Sequence, residues 1–90
     1  MSKVVIEVTV LNEEGLHARP AMRFVDAANG FASEIVVRSD ADAVDGKSVM
    51  GMMTLGATQG TRLTIEAAGE DAAAAVDALK RLFDAKFGED

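Results

Sequence analysis

The chain reads as an α+β two-layer sandwich, a four-stranded antiparallel sheet covered on one face by three helices in the order β-α-β-β-α-β-α. Three observations predict it. Apolar residues alternate with period two in several short segments and recur near period 3.6 in two longer ones. The connections between the strand patterns are short, which favours antiparallel neighbours over long crossovers. Each long helix carries a single apolar stripe and so has one face to bury. With 90 residues, residues 1–90 are expected to form one domain.

Val4 to Leu11 alternates, with Val4, Ile6, Val8 and Val10 on one face and Glu7 and Thr9 on the other, which makes strand one. Asn12 to Gly15 carries loop chemistry. From Ala18 the apolar spacing becomes Ala18, Ala21, Met22, Val25 and Ala28, and Asn29-Gly30 ends it, so helix one is placed at residues 18–29. Phe31 to Ser39 is strand two, with Ile35 and Val37 inward. The polar stretch Ser39-Asp40-Ala41-Asp42 turns the chain without a glycine, which leaves the turn type open. Ala43-Val44-Asp45 is a short third strand. Beyond Gly46-Lys47-Ser48, the run from Val49 has room for about two helical turns before Gly56, with Ser48 as its N-cap. Thr61 to Ala67 is strand four, with Leu63, Ile65 and Ala67 inward. In the last helix Glu70 and Asp71 stand at the positive end of the dipole and Lys80, Arg81 and Lys86 toward the negative end. Its buried stripe is Ala72, Ala75, Val76, Leu79, Leu82 and Phe83.

Composition narrows the chemistry. Nine basic and fifteen acidic residues leave a net charge of −6, and the chain has no Trp or Tyr and only four Phe. Nucleic-acid binding needs phosphate neutralisation or aromatic stacking, so no nucleic-acid partner is expected. Without cysteine there is no disulfide, thiolate metal site or thiol nucleophile. The apolar runs fall short of the roughly 20 residues of a membrane span, and Met1-Ser2-Lys3-Val4 lacks the apolar core of a signal peptide. The expectation is a cytoplasmic protein with no membrane insertion.

One stretch concentrates unusual residues. His17 and Pro20, the single histidine and single proline of the chain, stand where the strand pattern gives way to the helix pattern. If the helix begins at Ala18, His17 is its N-cap, and the first-turn amides of Ala18 and Arg19 have no intrahelical partner. Pro20 suits the first turn because it has no amide hydrogen to leave unpaired and its φ is already helical. Free amides, the helix dipole and the planar donors of Arg19 together favour an anion such as phosphate. The same positive field favours a neutral, nucleophilic imidazole that could hold a phosphoryl group as phosphohistidine. A plain helix-capping or surface histidine fits the spacing as well. A transition-metal site would lack a second His or Cys, and nothing places a serine beside His17 for a hydrolase triad. No metal or cofactor is expected.

Gly15-Leu16-His17-Ala18-Arg19-Pro20-Ala21, followed by Gly46-Lys47-Ser48-Val49-Met50-Gly51-Met52-Met53-Thr54-Leu55-Gly56, resembles the HPr family, the histidine-containing phosphocarriers of the bacterial phosphoenolpyruvate-dependent phosphotransferase system. The resemblance runs over nearly the whole chain and implies that family's open-faced β-sandwich. It also implies phosphorylation of His17 on Nδ1 by phosphorylated enzyme I, and transfer to a histidine of an enzyme IIA domain in sugar uptake. Arg19 matches the arginine that accompanies the phosphohistidine. Ser48 matches the serine modified by an ATP-dependent HPr kinase/phosphorylase, a regulatory mark; it would cap the short helix whether or not such a kinase exists. Such a carrier has no independent turnover and counts as a transfer protein more than an enzyme.

A two-turn helix cannot bury Val49, Met50, Met52 and Met53 together, so these residues with Met22 are expected to form a docking patch beside the histidine. The opposite arrangement, all four plugging the core, stays open. The acidic tail Gly88-Glu89-Asp90 and the extra alanines of the last helix are taken to vary from the family pattern without touching either motif. An alternative function is a mainly regulatory HPr paralogue of a nitrogen-related or catabolite-control branch, acting on proteins such as a transcriptional regulator. A third is a small binding domain with an incidental histidine. A monomer is expected.

Overall fold

The structure, a computed structural model, describes residues 2–89. Four strands, β1 (Lys3–Thr9), β2 (Glu34–Arg38), β3 (Ala43–Asp45) and β4 (Arg62–Ala68), form one sheet in the spatial order β1-β4-β2-β3. All pairings are antiparallel, with Ile6 opposite Ile65 and Val37 opposite both Ile65 and Val44. Helices α1 (Ala18–Ala28), α2 (Val49–Thr54) and α3 (Ala72–Asp84) complete the expected β-α-β-β-α-β-α order, and a 3-10 turn at Lys86–Gly88 follows.

The core lies between sheet and helices. Val8, Ile35, Val37, Leu63, Ile65 and Ala67 point into it from the strands. Phe24 of α1 and Phe83 of α3 meet there edge to face, 6.0 Å apart. On the opposite face of the sheet, Glu66 of β4 pairs with Lys3 of β1 and Arg38 of β2, tying three strands together. The Arg38 guanidinium first, and Lys3 after it, holds the Glu66 carboxyl below its usual range.

Several elements differ from the sequence reading for identifiable reasons. In α1 the buried face is Pro20, Ala21, Phe24, Val25 and Ala28, so Ala18 and Met22 turn to solvent. Strand β2 starts at Glu34 and not at Phe31. The Asp71 carboxylate accepts the amide hydrogens of Ala32 (2.8 Å) and Ser33 (2.9 Å) and the Ser33 hydroxyl (2.5 Å), so these two residues bond to a side chain and not to a neighbouring strand. Asp71 is therefore engaged with that loop and does not cap α3 through its side chain. The glycine-free turn at 39–42 is closed by Ser39, whose hydroxyl oxygen accepts from the amides of Ala41 and Asp42. Lys86 lies beyond the end of α3, with φ at 55°.

Candidate functional site

Position 17 is where the backbone changes from extended to helical. His17 has φ −78° and ψ −170°, and its carbonyl accepts the first helical bond, from Ala21, at 3.1 Å. Two features force the turn to be tight. Gly15 adopts φ +74° with its Cα pressed against the Ala57 carbonyl, where a Cβ would collide, and Leu16 donates to that same carbonyl at 3.0 Å. Leu16 and Pro20 are buried on either side of the histidine, which stays at the surface with its side chain 37% exposed.

The imidazole occupies the N-cap position but makes no side-chain capping bond. The amides of Ala18 and Arg19 have no hydrogen-bond partner among the described residues, so the positive end of α1 faces solvent beside the ring. Arg19 is exposed and makes no ion pair among the described residues. It lines a cleft of about 460 Å³ with Glu13, Glu14, Arg23, Gly88 and Glu89. Arg23 is committed elsewhere, because its Nη1 donates to the Phe87 carbonyl. Among the described residues, the one uncommitted guanidinium of the cleft is thus that of Arg19.

The positive field read from the sequence is only part of the setting. Nε2 of His17 lies 3.0 Å and 3.2 Å from the two carboxylate oxygens of Glu89, and 3.7 Å from Glu14 Oε2. Glu89 Oε1 also accepts from Asn12 Nδ2 at 3.2 Å, and that same amide nitrogen donates to the Gly15 carbonyl at 2.6 Å. Both Asn12 contacts are to acceptors, which fixes the orientation of this fully buried amide. The expectation that the acidic tail leaves the motif untouched is therefore corrected at Glu89, while Asp90 lies outside the described residues. Asn12, Glu89 and Phe87 were missed because the sequence offers only weak signals for them. One was available: Phe87-Gly88, an isolated aromatic followed by glycine just past a helix, reads as a chain folding back.

Ser48 caps α2, its Oγ accepting from the Gly51 amide at 3.0 Å, and its neighbour Lys47 donates to the Phe31 carbonyl at 2.8 Å. The expected docking residues divide. Met22, Met50 and Met53 are 51%, 75% and 42% exposed, Val49 is half-buried against the core, and Met52 is 0% exposed. Met52 leaves the docking set because α2 turns it, and it alone of the described methionines, into the core. Among the described residues no group of three or more His, Cys, Asp or Glu could hold a metal ion, and no helix is long and apolar enough to cross a membrane.

A small open-faced sandwich that presents a lone surface histidine at a bare helix start defines a class, the histidine-bearing carrier domain. Residues 4–85 match the family described as the PTS HPr component phosphorylation site. The chain belongs to the HPr family of phosphocarriers of the phosphotransferase system. It is 45% identical over 87 residues to the phosphocarrier protein HPr of Treponema pallidum, covering 97% of this chain and 99% of that one. The crystal structure of an HPr from Thermoanaerobacter tengcongensis superposes with a TM-score of 0.89 at 44% identity, over 100% of this chain and 99% of that chain. A dimeric HPr crystal structure from the same organism superposes at 0.77 with 46% identity, over 99% and 100% of the two chains.

Proposed function

We propose that His17 accepts a phosphoryl group from phosphorylated enzyme I and passes it to a histidine of an enzyme IIA domain during sugar uptake. The Nδ1 lone pair attacks phosphorus, the donor's P–N bond breaks, and its electron pair returns to the donor imidazole. The observation that carries this reading is the juxtaposition of a solvent-open imidazole with two first-turn amides and an Arg19 that have no partner among the described residues. These are the groups a phosphoryl oxygen needs at close range. The site then works as a relay in a one-domain cytoplasmic carrier.

Incubation with phosphoenolpyruvate and enzyme I tests it. The expected product is an acid-labile, base-stable phosphate that His17→Ala eliminates. Absence of label where a known carrier is labelled overturns the reading.

Ser48 is proposed as the regulatory site. A phosphate there adds roughly −1.5 to −2 charges at a helix N-terminus, which the fold accommodates. The exposed Met50 and Met53 next to it, with Met22, support a docking patch whose apolar character that charge would spoil. Ser48→Asp is expected to slow His17 phosphorylation, and equal rates contradict the regulatory role. A purely regulatory paralogue can lack the histidine, so His17 and its setting favour the carrier. The monomer is proposed as the working form. Sedimentation at micromolar concentration tests it against the dimer found in the relative.

A further inference from the structure

We propose that Glu89 is a positioning residue for His17: its carboxylate takes the Nε2 hydrogen and so presents Nδ1 as the bare nitrogen that meets the phosphoryl group. The proposal rests on the carrier reading and deepens it. A carboxylate accepts hydrogen bonds and cannot donate them, so the contacts of 3.0 Å and 3.2 Å require the proton on Nε2. A neutral ring protonated on Nε2 carries its lone pair on Nδ1. No hydrogen bond reaches Nδ1 among the described residues.

The carboxylate is held in place. Asn12, fully buried and tied to the Gly15 carbonyl, donates to Glu89 Oε1, and the Glu89 side chain is only 18% exposed. The backbone that delivers it is unusual. Lys86, Phe87 and Gly88 have φ of 55°, 54° and 76°, three consecutive left-handed residues of which two are not glycine. Such a conformation persists only where its surroundings impose it. Phe87 is buried against Phe83 at 4.8 Å, Arg23 donates to its carbonyl, and a Cβ at Gly88 would lie 2.7 Å from Arg23 Nη1. The result of this reversal is a carboxylate at the histidine.

The same contact assists the chemistry. When Nδ1 bonds to phosphorus and keeps its Nε2 hydrogen, the ring becomes positively charged. That charge develops facing Glu89 and, at 3.7 Å, Glu14.

Nitrogen-15 NMR of the His17 ring in alkaline solution, where imidazole is neutral, reads the tautomer directly. Wild type is expected with Nε2 protonated and Nδ1 bare. Glu89→Gln retains that state through its carbonyl oxygen, and Glu89→Ala relaxes to a mixture. In the enzyme I assay Glu89→Ala is expected to accept phosphate about tenfold more slowly, with Glu89→Gln between the two because it keeps the hydrogen bond and loses the charge. An Nδ1-protonated ring in wild type, a tautomer unchanged in Glu89→Ala, or a wild-type acceptance rate in that variant overturns the proposal. A wild-type protein that takes no phosphate defeats the carrier reading instead, and the ring tautomer still decides the contact.

Discussion

At the scale of single residues, the site is made by leaving groups unpaired and by holding one group firmly. Among the described residues Ala18 and Arg19 keep their amide hydrogens free, since first-turn amides have no intrahelical partner and the His17 ring makes no capping bond, and Pro20 has none to keep. Arg19 is exposed, so its contribution is discounted for solvent: Arg19→Ala is expected to slow phosphoryl acceptance by about tenfold, with Arg19→Lys recovering part by restoring charge without the planar fork. Steady-state acceptance rates check this, and equal rates for all three proteins would make Arg19 a bystander. The histidine, the arginine and the proline were legible because each is a residue type with specific local chemistry. Asn12 and Glu89 were not, since an asparagine in a loop and a glutamate in an acidic tail look solvated until distant segments are brought together.

The elements were legible where periodicity is strong and less so where a side chain replaces a backbone partner. Helix α3 and strands β3 and β4 follow their apolar pattern closely, whereas the start of β2 is set by Asp71, thirty-odd residues away in sequence. The Ser33 hydroxyl first, then the Ala32 and Ser33 amides, holds the Asp71 carboxyl below its ordinary value of 3.8. A depressed folded value means that the bond stabilises the protein above the unfolded value and is lost as pH falls through the folded one. Thermal melts should therefore show Asp71→Asn less stable than wild type near neutral pH, with the gap closing well below pH 3.8. A gap that persists in acid would show that the carboxylate charge is not what matters. Helix α2 depends on its cap: Ser48→Ala removes the bond to the Gly51 amide and should cost about 1 kcal/mol by denaturant titration. That cost has to be measured before any effect of the same variant on regulation is interpreted.

Across the whole molecule, the fold class could be read from alternation and connection length, but the spatial order β1-β4-β2-β3 could not. Pattern fixes which face of a strand is buried and says little about which strand lies beside it. That order matters for function, because it seats α3 over β1 and β4, and the chain leaving α3 then folds back to the loop after β1. Phe87 is the joint between core and site. Phe87→Ala should destabilise the fold by about 3–5 kcal/mol, and in protein that remains folded it should also release the ring tautomer as Glu89→Ala does. A loss of both in that one variant would show folding and phosphoryl acceptance coupled through a single side chain. Onward transfer of the phosphoryl group from His17 is read by a chase. Protein labelled through enzyme I is purified and mixed with an enzyme IIA domain, and the label is followed. Label is expected to leave His17 and to appear on the enzyme IIA histidine; label that stays on the protein, or departs only as free phosphate, rules out onward transfer.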